Sequence, residues 1–335
     1  MTYSQAVLTG DRLALARLLT QVENNTPDGR TALIELFPHT GRAHLIGVTG
    51  APGTGKSSLV NQLALYYRKV ENKRVAIVAV DPSSPFTGGA VLGDRVRMRD
   101  LSGDPNVFIR SMATRGSLGG LAQSTANMVQ VFDAAGFDII IIETVGAGQS
   151  EVDVARLAHT TLVVEAPGLG DDIQAIKAGI LEIADILVIN KADRPGVENT
   201  EKALKSMLDL AHPTERVFQH HGSAMRTIAP KQDSSATLMW IPPIQKTVAL
   251  ESKGIVELAE SIGRHVNHLR QSGDWAVRER ARLEVELEAL IRETLVNQFH
   301  EDVSQEKYDE TLENVIQRKF SPWEAVKMLL NGRSK

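Results

Sequence analysis

Residues 50–57 combine glycines with a lysine and a serine at a spacing that can bind the phosphates of a nucleotide. They read Gly-Ala-Pro-Gly-Thr-Gly-Lys-Ser, which matches the pattern G-x-x-x-x-G-K-[ST]. Glycines let backbone amides turn toward the phosphates, while Lys56 reaches the β and γ phosphates and Ser57 ligates Mg²⁺. We therefore predict a catalytic role for Lys56 and nucleotide contacts from Gly50, Ala51, Pro52, Gly53, Thr54, Gly55, Lys56, Ser57 and Ser58.

A second polar segment, Asn190-Lys191-Ala192-Asp193, directly follows a buried run rich in isoleucine and valine. Such a strand end lies on the ligand side of an open α/β sheet. The Asp193 carboxylate can accept two N–H bonds from guanine, whereas adenine lacks that paired donor edge. Asn190 can bond the base and the surrounding loop, and the Lys191 stem can cover the ring. The segment therefore predicts a guanine nucleotide, GTP or GDP.

Acidic residues follow two further apolar runs and are candidates for binding Mg²⁺. Asp81 ends the run 75–80, and Glu143 ends the run 138–142. Strand-end carboxylates beside a phosphate loop hold Mg²⁺ directly or through its waters. Glu143 and Gly146 have the spacing of an acid-x-x-Gly motif, in which the glycine amide contacts the γ-phosphate. Asp94, in a glycine-rich loop, is the last metal candidate, and a turn acid before proline is the alternative role of Asp81.

Two residues are candidates for the hydrolysis step. Gln149, three residues after Gly146, can orient the attacking water as a glutamine does in some GTPases. Its alternative role is that of a solvent-exposed polar residue. Lys177 follows a glycine-rich loop at 167–172 and is ordinarily a solvated charge. It becomes catalytic only if that loop moves toward the nucleotide.

The elements that must position these residues alternate along the middle of the chain. Helical stretches separate the apolar runs, which predicts an α/β fold with a mostly parallel sheet and helices on both faces. Residues 1–40 are expected to be helical, with a break at 24–29 and a second short helix from Arg30 to Phe37. The strand candidates are 44–49, 74–80, 107–110, 138–142, 160–165, 185–189 and 244–249.

The chain is expected to contain three regions: an N-terminal helical extension (1–40), a nucleotide-binding domain (41–272) and a C-terminal helical arm (273–335). Residues 217–243 are an irregular excursion of the middle region. In the arm, helices are expected over 274–299, 303–316 and 321–331. The first carries an apolar stripe that can pack on its own domain or on a second subunit. This stripe consists of Leu283, Leu287, Leu290, Ile291 and Leu295.

Amino-acid composition limits the binding partners, the chemistry and the cellular location expected of the protein. The chain has 335 residues, is 42% hydrophobic and carries a net charge of −4, which gives no general attraction to nucleic acid or to an anionic membrane. It contains no cysteine, which excludes disulfides and thiol chemistry and is consistent with a cytoplasmic location. Neither a signal peptide nor a membrane-spanning run is visible.

Several motifs together resemble the MeaB/ArgK family of GTPases, which includes methylmalonic aciduria type A proteins. The resemblance covers nearly the whole chain. Its most specific parts are Asp-Pro-Ser-Ser-Pro at 81–85 and Glu-Thr-Val-Gly-x-Gly-Gln-Ser-Glu at 143–151. The phosphate loop, Thr87-Gly88-Gly89, Leu92-Gly93-Asp94, Gly119-Gly120 and Asn190-Lys191-Ala192-Asp193 complete the set.

The resemblance implies a homodimeric P-loop GTPase of the SIMIBI type, dimerising through its helical arm. Such a protein acts as chaperone to a cobalamin-dependent acyl-CoA mutase, usually methylmalonyl-CoA mutase, and gates cofactor loading. The segment 168–177 resembles a third switch loop whose lysine moves into the site when the mutase binds. Val248, Ala249 and Leu250 fall where the family has a second guanine-contacting loop, with valine in place of the usual serine. The Mg²⁺ and switch residues become Ser57, Asp81, Asp94 and Glu143.

Two other functions are alternatives. One is an ArgK-type kinase or ATPase linked to lysine, arginine and ornithine transport, which the guanine signature at Asn190 and Asp193 disfavours. The other is a nickel-delivery GTPase, which would need Cys/His metal motifs that a cysteine-free chain lacks. The pair His220-His221 is a weak metal candidate because no third ligand accompanies it.

Overall fold

Strands rich in β-branched residues build the centre of the computed structural model. They are β1 (His44–Thr49), β2 (Val75–Pro82), β3 (Val107–Thr114), β4 (Ile139–Thr144), β5 (Thr160–Glu165), β6 (Ile186–Asn190) and β9 (Ile244–Thr247). Two short strands, β7 (Phe218–His220) and β8 (Ser223–Met225), are separate from them. The structure describes residues 2–82, 98–101, 103–114, 120–144, 150–168, 183–211, 218–220, 223–225 and 239–331.

The main sheet of this described part has seven strands in the order β3-β2-β4-β1-β5-β6-β9. Every pairing between neighbours is parallel, and β1 lies between β4 and β5. The predicted α/β fold with a mostly parallel sheet is therefore confirmed. Strands β7 and β8 form a separate antiparallel pair.

Helices flank the sheet and continue beyond it. Among the residues described they are α1 (Tyr3–Leu8), α2 (Arg12–Glu23), α3 (Pro27–Leu36), α4 (Lys56–Lys69), α5 (Gly120–Ala134), α6 (Ser150–Leu157), α7 (Val197–Ala211), α8 (Ile255–Ser272), α9 (Asp274–Asp302), α10 (Gln305–Ile316) and α11 (Pro322–Asn331). None of the helices so described is long and apolar enough to cross a membrane.

The sheet is buried on both faces because alternate side chains of each strand enter different cores. On one face, Leu45 of β1 and Ile140 of β4 belong to a cluster that includes Leu18 and Leu36 from the N-terminal helices. On the other face, Ile46 and Ile141 pack in a cluster with α4 and α8. The N-terminal helices thus share a core with the sheet.

Several boundaries differ from the sequence-based expectation, and two of these differences have a clear physical cause. The break predicted at 24–29 is shorter, because α3 already begins at Pro27. Thr26 caps that helix by accepting a hydrogen bond from Gly29 N at 3.1 Å, and proline is well suited to the first helical position. The strand predicted at 244–249 ends at Thr247, since Val248 N–H bonds Lys253 O and residues 249–251 form a 3₁₀ turn.

The chain divides into two compact units, residues 1–280 and 281–335. The division falls within α9. In the second unit, α10 packs against α11. Helix α9 has no buried residue along its described length, and its apolar stripe is largely exposed, with Leu287 at 60% and Leu295 at 51%.

Candidate functional site

The loop at 50–55 connects β1 to α4, and its conformation depends on glycine. Gly50, Gly53 and Gly55 all have positive φ, at 133°, 81° and 91°. At Gly50 a Cβ atom would lie only 2.0 Å from the carbonyl oxygen of Val164 in β5. The loop backbone therefore lies directly against the neighbouring strand, which only glycine permits. This close approach fixes the loop at the carboxyl edge of the sheet.

Lys56 opens helix α4 and points its ammonium group back over the loop. Its Nζ atom donates to Gly50 O at 2.7 Å and to Ala51 O at 3.0 Å, and the residue is buried. The N-terminus of α4 adds backbone amide groups and a favourable dipole for an anion. Lysine charge, loop amides and helix terminus converge here, which is the arrangement that phosphate groups require.

Ser57 and Glu143 bring two oxygen donors together beside this loop. The Ser57 hydroxyl donates to Glu143 Oε1 at 2.6 Å, and Glu143 is buried at the end of β4. Hydroxyl and carboxylate oxygens are the hard ligands that Mg²⁺ takes, usually together with phosphate oxygens and water. These two residues fit a magnesium ion. The side chain of Asp81, at the end of β2, and all of Asp94 lie outside the described part of the structure.

Asn190 ties the phosphate loop to the segment after β9. Its Nδ2 group donates to Thr54 O at 2.9 Å, and Gly55 O lies 3.4 Å away. Its Oδ1 atom accepts from Thr247 Oγ1 and from Ala249 N, both at 3.1 Å. The side chain is almost fully buried. Asn190 therefore organises two loops from within the protein, rather than presenting a free amide to a base.

Lys191 and Asp193 follow on the exposed side of the same turn. Lys191 adopts φ of 57°, and its Nζ atom donates to Gly53 O at 2.5 Å. The lysine stem thus spans from the β6 end to the phosphate loop. Asp193 is exposed. Its carboxylate is accessible to a ligand, as the predicted contact with guanine requires.

The segment Val248-Ala249-Leu250 lies next to Asn190, but its residues differ in environment. Ala249 is buried and gives its backbone N–H to Asn190, whereas Leu250 is 88% exposed. Sequence reasoning missed Thr247, whose buried hydroxyl bonds Asn190. A polar residue at the carboxyl end of a strand, just before this segment, was the available signal.

The structure thus brings together the phosphate loop, Glu143, Asn190, Lys191 and Ala249. Gly146, Gln149 and Lys177, predicted to contact γ-phosphate or to serve in hydrolysis, lie outside the described residues. So does His221, and only the backbone of His220 is described. Within the described part, no group of three or more His, Cys, Asp or Glu side chains could hold a metal ion.

Comparison with known proteins agrees with this geometry. The family model described as methylmalonyl-CoA mutase-associated GTPase MeaB matches residues 15–304. A Pyrococcus abyssi protein named "Putative GTPase" is 44% identical over 321 residues, which cover 96% of this chain and 93% of the relative.

Two further relatives carry more specific names. The Escherichia coli protein named GTPase ArgK is 35% identical over 96% of this chain and 92% of its own length. The Caenorhabditis elegans protein named methylmalonic aciduria type A homolog, mitochondrial, is 32% identical over 81% of this chain and 66% of its own length. A crystal structure titled LAO/AO transport system kinase has a TM-score of 0.67 at 27% identity, covering 98% of this chain and 95% of that one.

Proposed function

The chain belongs to the MeaB family of methylmalonyl-CoA mutase-associated GTPases, and on that premise we propose that it is the GTP-hydrolysing chaperone of a cobalamin-dependent acyl-CoA mutase. The favoured client is methylmalonyl-CoA mutase, and the proposed role is to gate cobalamin loading and to protect the mutase. The observation that carries this proposal is the family match over residues 15–304. The relative named methylmalonic aciduria type A homolog supports it.

The described residues have separable tasks in this proposal. The loop at 50–57 binds the phosphates of GTP, Lys56 carries the compensating charge, and Asp193 accepts the N–H groups of guanine. Ser57 and Glu143, together with Asp81 and Asp94, would hold Mg²⁺. When bound, the ion neutralises charge that develops on the β and γ phosphate oxygens. Asn190 keeps the phosphate loop and the guanine segment in register.

We propose that GTP hydrolysis becomes fast only when the mutase binds and orders the hydrolysis site. We propose that Gln149 orients the attacking water and that Gly146 contacts the γ-phosphate. We also propose that Lys177 enters the site when the mutase binds, as the resemblance of residues 168–177 to a third switch loop implies. Slow hydrolysis by the protein alone and faster hydrolysis with the mutase are therefore expected, because partner-supplied order can raise GTPase rates by orders of magnitude.

The test is the GTPase rate of the purified protein with and without purified methylmalonyl-CoA mutase. We expect the mutase to bind and to accelerate hydrolysis. If it does neither, the client assignment is wrong, even though GTP hydrolysis by the protein alone remains.

Variants separate the nucleotide site from the client. Asp193→Asn loses a charge-assisted acceptor worth about 1.5–3 kcal/mol, so GTP affinity should fall at least about tenfold. Asp28→Asn, an equally conservative change at an exposed position of α3, is the matched control and should leave GTP affinity unchanged. Equal GTP affinity in the wild type and in Asp193→Asn would show that Asp193 does not recognise guanine.

We further propose that the protein is a homodimer through its C-terminal arm. The exposed stripe on α9 supports this, since contiguous exposed apolar surface commonly marks an interface. Light scattering should give the mass of a dimer for the wild type and of a monomer for Leu287→Glu. Arg292→Glu, on another face of α9, is the control and should stay dimeric. A monomeric wild type would overturn the assignment.

One observation favours a second candidate, a kinase tied to transport of basic amino acids. The similar crystal structure is titled LAO/AO transport system kinase. That function would require ATP use and a phosphate acceptor. Competition binding discriminates the two, because a thousandfold excess of ATP should fail to displace GTP if Asp193 reads guanine. Displacement of GTP by equimolar ATP would instead favour the kinase.

A further inference from the structure

A cluster of histidines, together with Trp240 and Trp275, lies at the opposite ends of the strands from the nucleotide site. His44 opens β1, His159 and Thr160 stand at the start of β5, and Asp185 directly precedes β6. Side chains from α8 and from the first turns of α9 pack against them. All of these residues belong to the first compact unit. The proposed function uses none of them.

A chain of short polar contacts links four of these elements. His44 Nε2 lies 2.8 Å from Thr160 Oγ1, and the same hydroxyl lies 2.9 Å from His265 Nδ1 on α8. The other ring nitrogen of His265 lies 3.2 Å from Asp185 Oδ1. A hydroxyl can donate to one ring and accept from the other. The contacts therefore connect β1, β5, α8 and the start of β6 without water.

His159 makes a contact that exists only when its ring is neutral. Its Nδ1 atom accepts the backbone N–H of Leu45 at 3.1 Å, while Nε2 lies 3.2 Å from Glu279 Oε2 on α9. A proton on Nδ1 would turn that acceptor into a donor facing another N–H group. The ring also stacks on Trp275 of α9, with centroids 3.9 Å apart and planes inclined by 26°. Protonation thus disrupts the support beneath Trp275.

Arg278 fastens the same turns of α9 to the sheet. Its guanidinium donates to both oxygens of Asp185, at 2.7 and 2.8 Å, and to His159 O at 2.8 Å. Immediately before α9, Gly273 has φ of 83° and forms a one-residue elbow after α8. The direction of the chain at this elbow depends on contacts made by Trp275, Arg278 and Glu279.

Burial and the charges around the cluster favour the neutral form of His44. Burial lowers the pKa of His44 well below its usual value, and the proximity of His159, His265 and Arg270 lowers it further, against a small opposing effect of Asp185. Burial alone would raise the pKa of Asp185, but the nearby His265 ring and the hydrogen-bonded guanidinium of Arg278 lower it. The titratable and charged groups facing the cluster are His44, His159, Asp185, His265, His268, Arg270, Asp274, Arg278 and Glu279.

We propose that this cluster is a proton-sensitive latch, in which neutral His44 and His159 hold the first two turns of α9 against the sheet and acidification releases them. The latch is closed above about pH 6.5, which is the unperturbed pKa of a histidine side chain. It opens as the pH falls below that value, because the open form binds protons that the closed form excludes. The opening equilibrium should grow by about tenfold per pH unit for each histidine that must be neutral.

Hydrogen exchange on the full-length protein tests the latch. Protection factors of residues 274–280, corrected for the intrinsic exchange rate, should fall at least about tenfold between pH 7.5 and 5.5. Residues 139–144 in β4 serve as the internal reference and should lose less protection than residues 274–280, which distinguishes local release of α9 from global unfolding. Equal protection of residues 274–280 at both pH values would overturn the proposal.

A variant and a direct measurement identify the histidine. In His159→Asn the amide oxygen can still accept from Leu45 N–H but does not titrate, so the pH dependence of protection should shrink about tenfold. His39→Asn, at an exposed position in the same unit, is the matched control and should behave as wild type.

Nitrogen-15 NMR of the wild-type imidazoles gives an independent reading that does not depend on how a variant folds. It should show His159 with an unprotonated Nδ1 at pH 7.5. A proton on that nitrogen at pH 7.5 would refute the latch.

Discussion

Replacing Asn190 by alanine should destabilise the protein even in the absence of any nucleotide. Asn190 is 2% exposed, and its side chain bonds Thr54, Gly55, Thr247 and Ala249 of the protein itself. A residue whose main task was to bind a base would instead matter little to the nucleotide-free fold. The unfolding free energy of the nucleotide-free protein therefore separates these two roles.

The magnitude follows from the groups left behind. Alanine removes the donor to Thr54 O and the acceptor shared by Thr247 Oγ1 and Ala249 N. A lost hydrogen bond costs about 1 kcal/mol, and a buried group left without a partner costs about 1–3 kcal/mol. The Thr247 hydroxyl can rotate, but the Ala249 amide cannot. We expect a total loss of about 3–4 kcal/mol, a large fraction of the roughly 5–15 kcal/mol that stabilises a typical domain.

Chemical denaturation without nucleotide or Mg²⁺ measures this loss. The midpoint should shift with an unchanged slope, as expected when the folded contacts alone change. Two single variants calibrate the result. Thr247→Val removes one of the bonds to Asn190 and should cost about 1 kcal/mol, whereas Lys191→Ala loses an exposed bond to Gly53 O and should cost less than about 0.5 kcal/mol.

A double-mutant cycle makes the reasoning refutable. Because Asn190 and Thr247 are in direct contact, the double variant should be about 1 kcal/mol more stable than the sum of the single losses predicts. Strict additivity would mean that the 3.1 Å contact contributes nothing. An Asn190→Ala protein as stable as wild type would show that Asn190 does not hold the two loops together.

Three further outcomes are expected. Gly50→Ala should abolish GTP binding in a calorimetric titration, because its Cβ would lie 2.0 Å from Val164 O, whereas Gly53→Ala, with nothing within 4 Å, should cost only about 1 kcal/mol of stability. Arg278→Met should lower the unfolding free energy by about 2–3 kcal/mol, because it leaves the buried Asp185 carboxylate without its guanidinium partner. Arg292→Met breaks only an exposed ion pair with Glu288 and should have little effect in the same denaturation assay. The depressed pKa of His44 should make stability fall by about 1 kcal/mol per pH unit below about 6.5, and denaturation at pH 7.5, 6.5 and 5.5 should show this loss only below the middle value.

Much of the fold was readable from the sequence because parallel strands buried on both faces leave continuous apolar runs. β1 and β5 have the predicted bounds, and the starts of the other sheet strands lie within one residue of the predictions. Errors arose where a side chain or backbone group made a contact that composition does not reveal. Helix α3 begins at Pro27, within the predicted break at 24–29, because Thr26 caps it. Strand β9 ends at Thr247 because the N–H groups of Val248 and Ala249 bond Lys253 O and Asn190 Oδ1 instead of a neighbouring strand.

The candidate site was predictable where one short motif contains the chemistry. The phosphate loop needs glycines at fixed spacing, and the glycines at 50, 53 and 55 have the positive φ values that this chemistry requires. Thr247 was not predicted, because its importance comes from Asn190, which lies 57 positions earlier in the chain. The histidine cluster is equally hidden in the sequence, since His44, His159 and His265 meet only when three distant segments fold together.

Strands β5 and β6 connect the two sets of contacts. At their carboxyl ends, β6 carries Asn190 and β5 supplies the Val164 carbonyl against which Gly50 packs. At their amino ends, His159 and Asp185 hold the first turns of α9. Because the sheet is rigid and buried, a displacement of either strand would change both ends. The fold therefore places the proposed guanine-binding segment and the attachment of α9 on the same two strands, which would give the proposed GTP-dependent chaperone a physical connection between them.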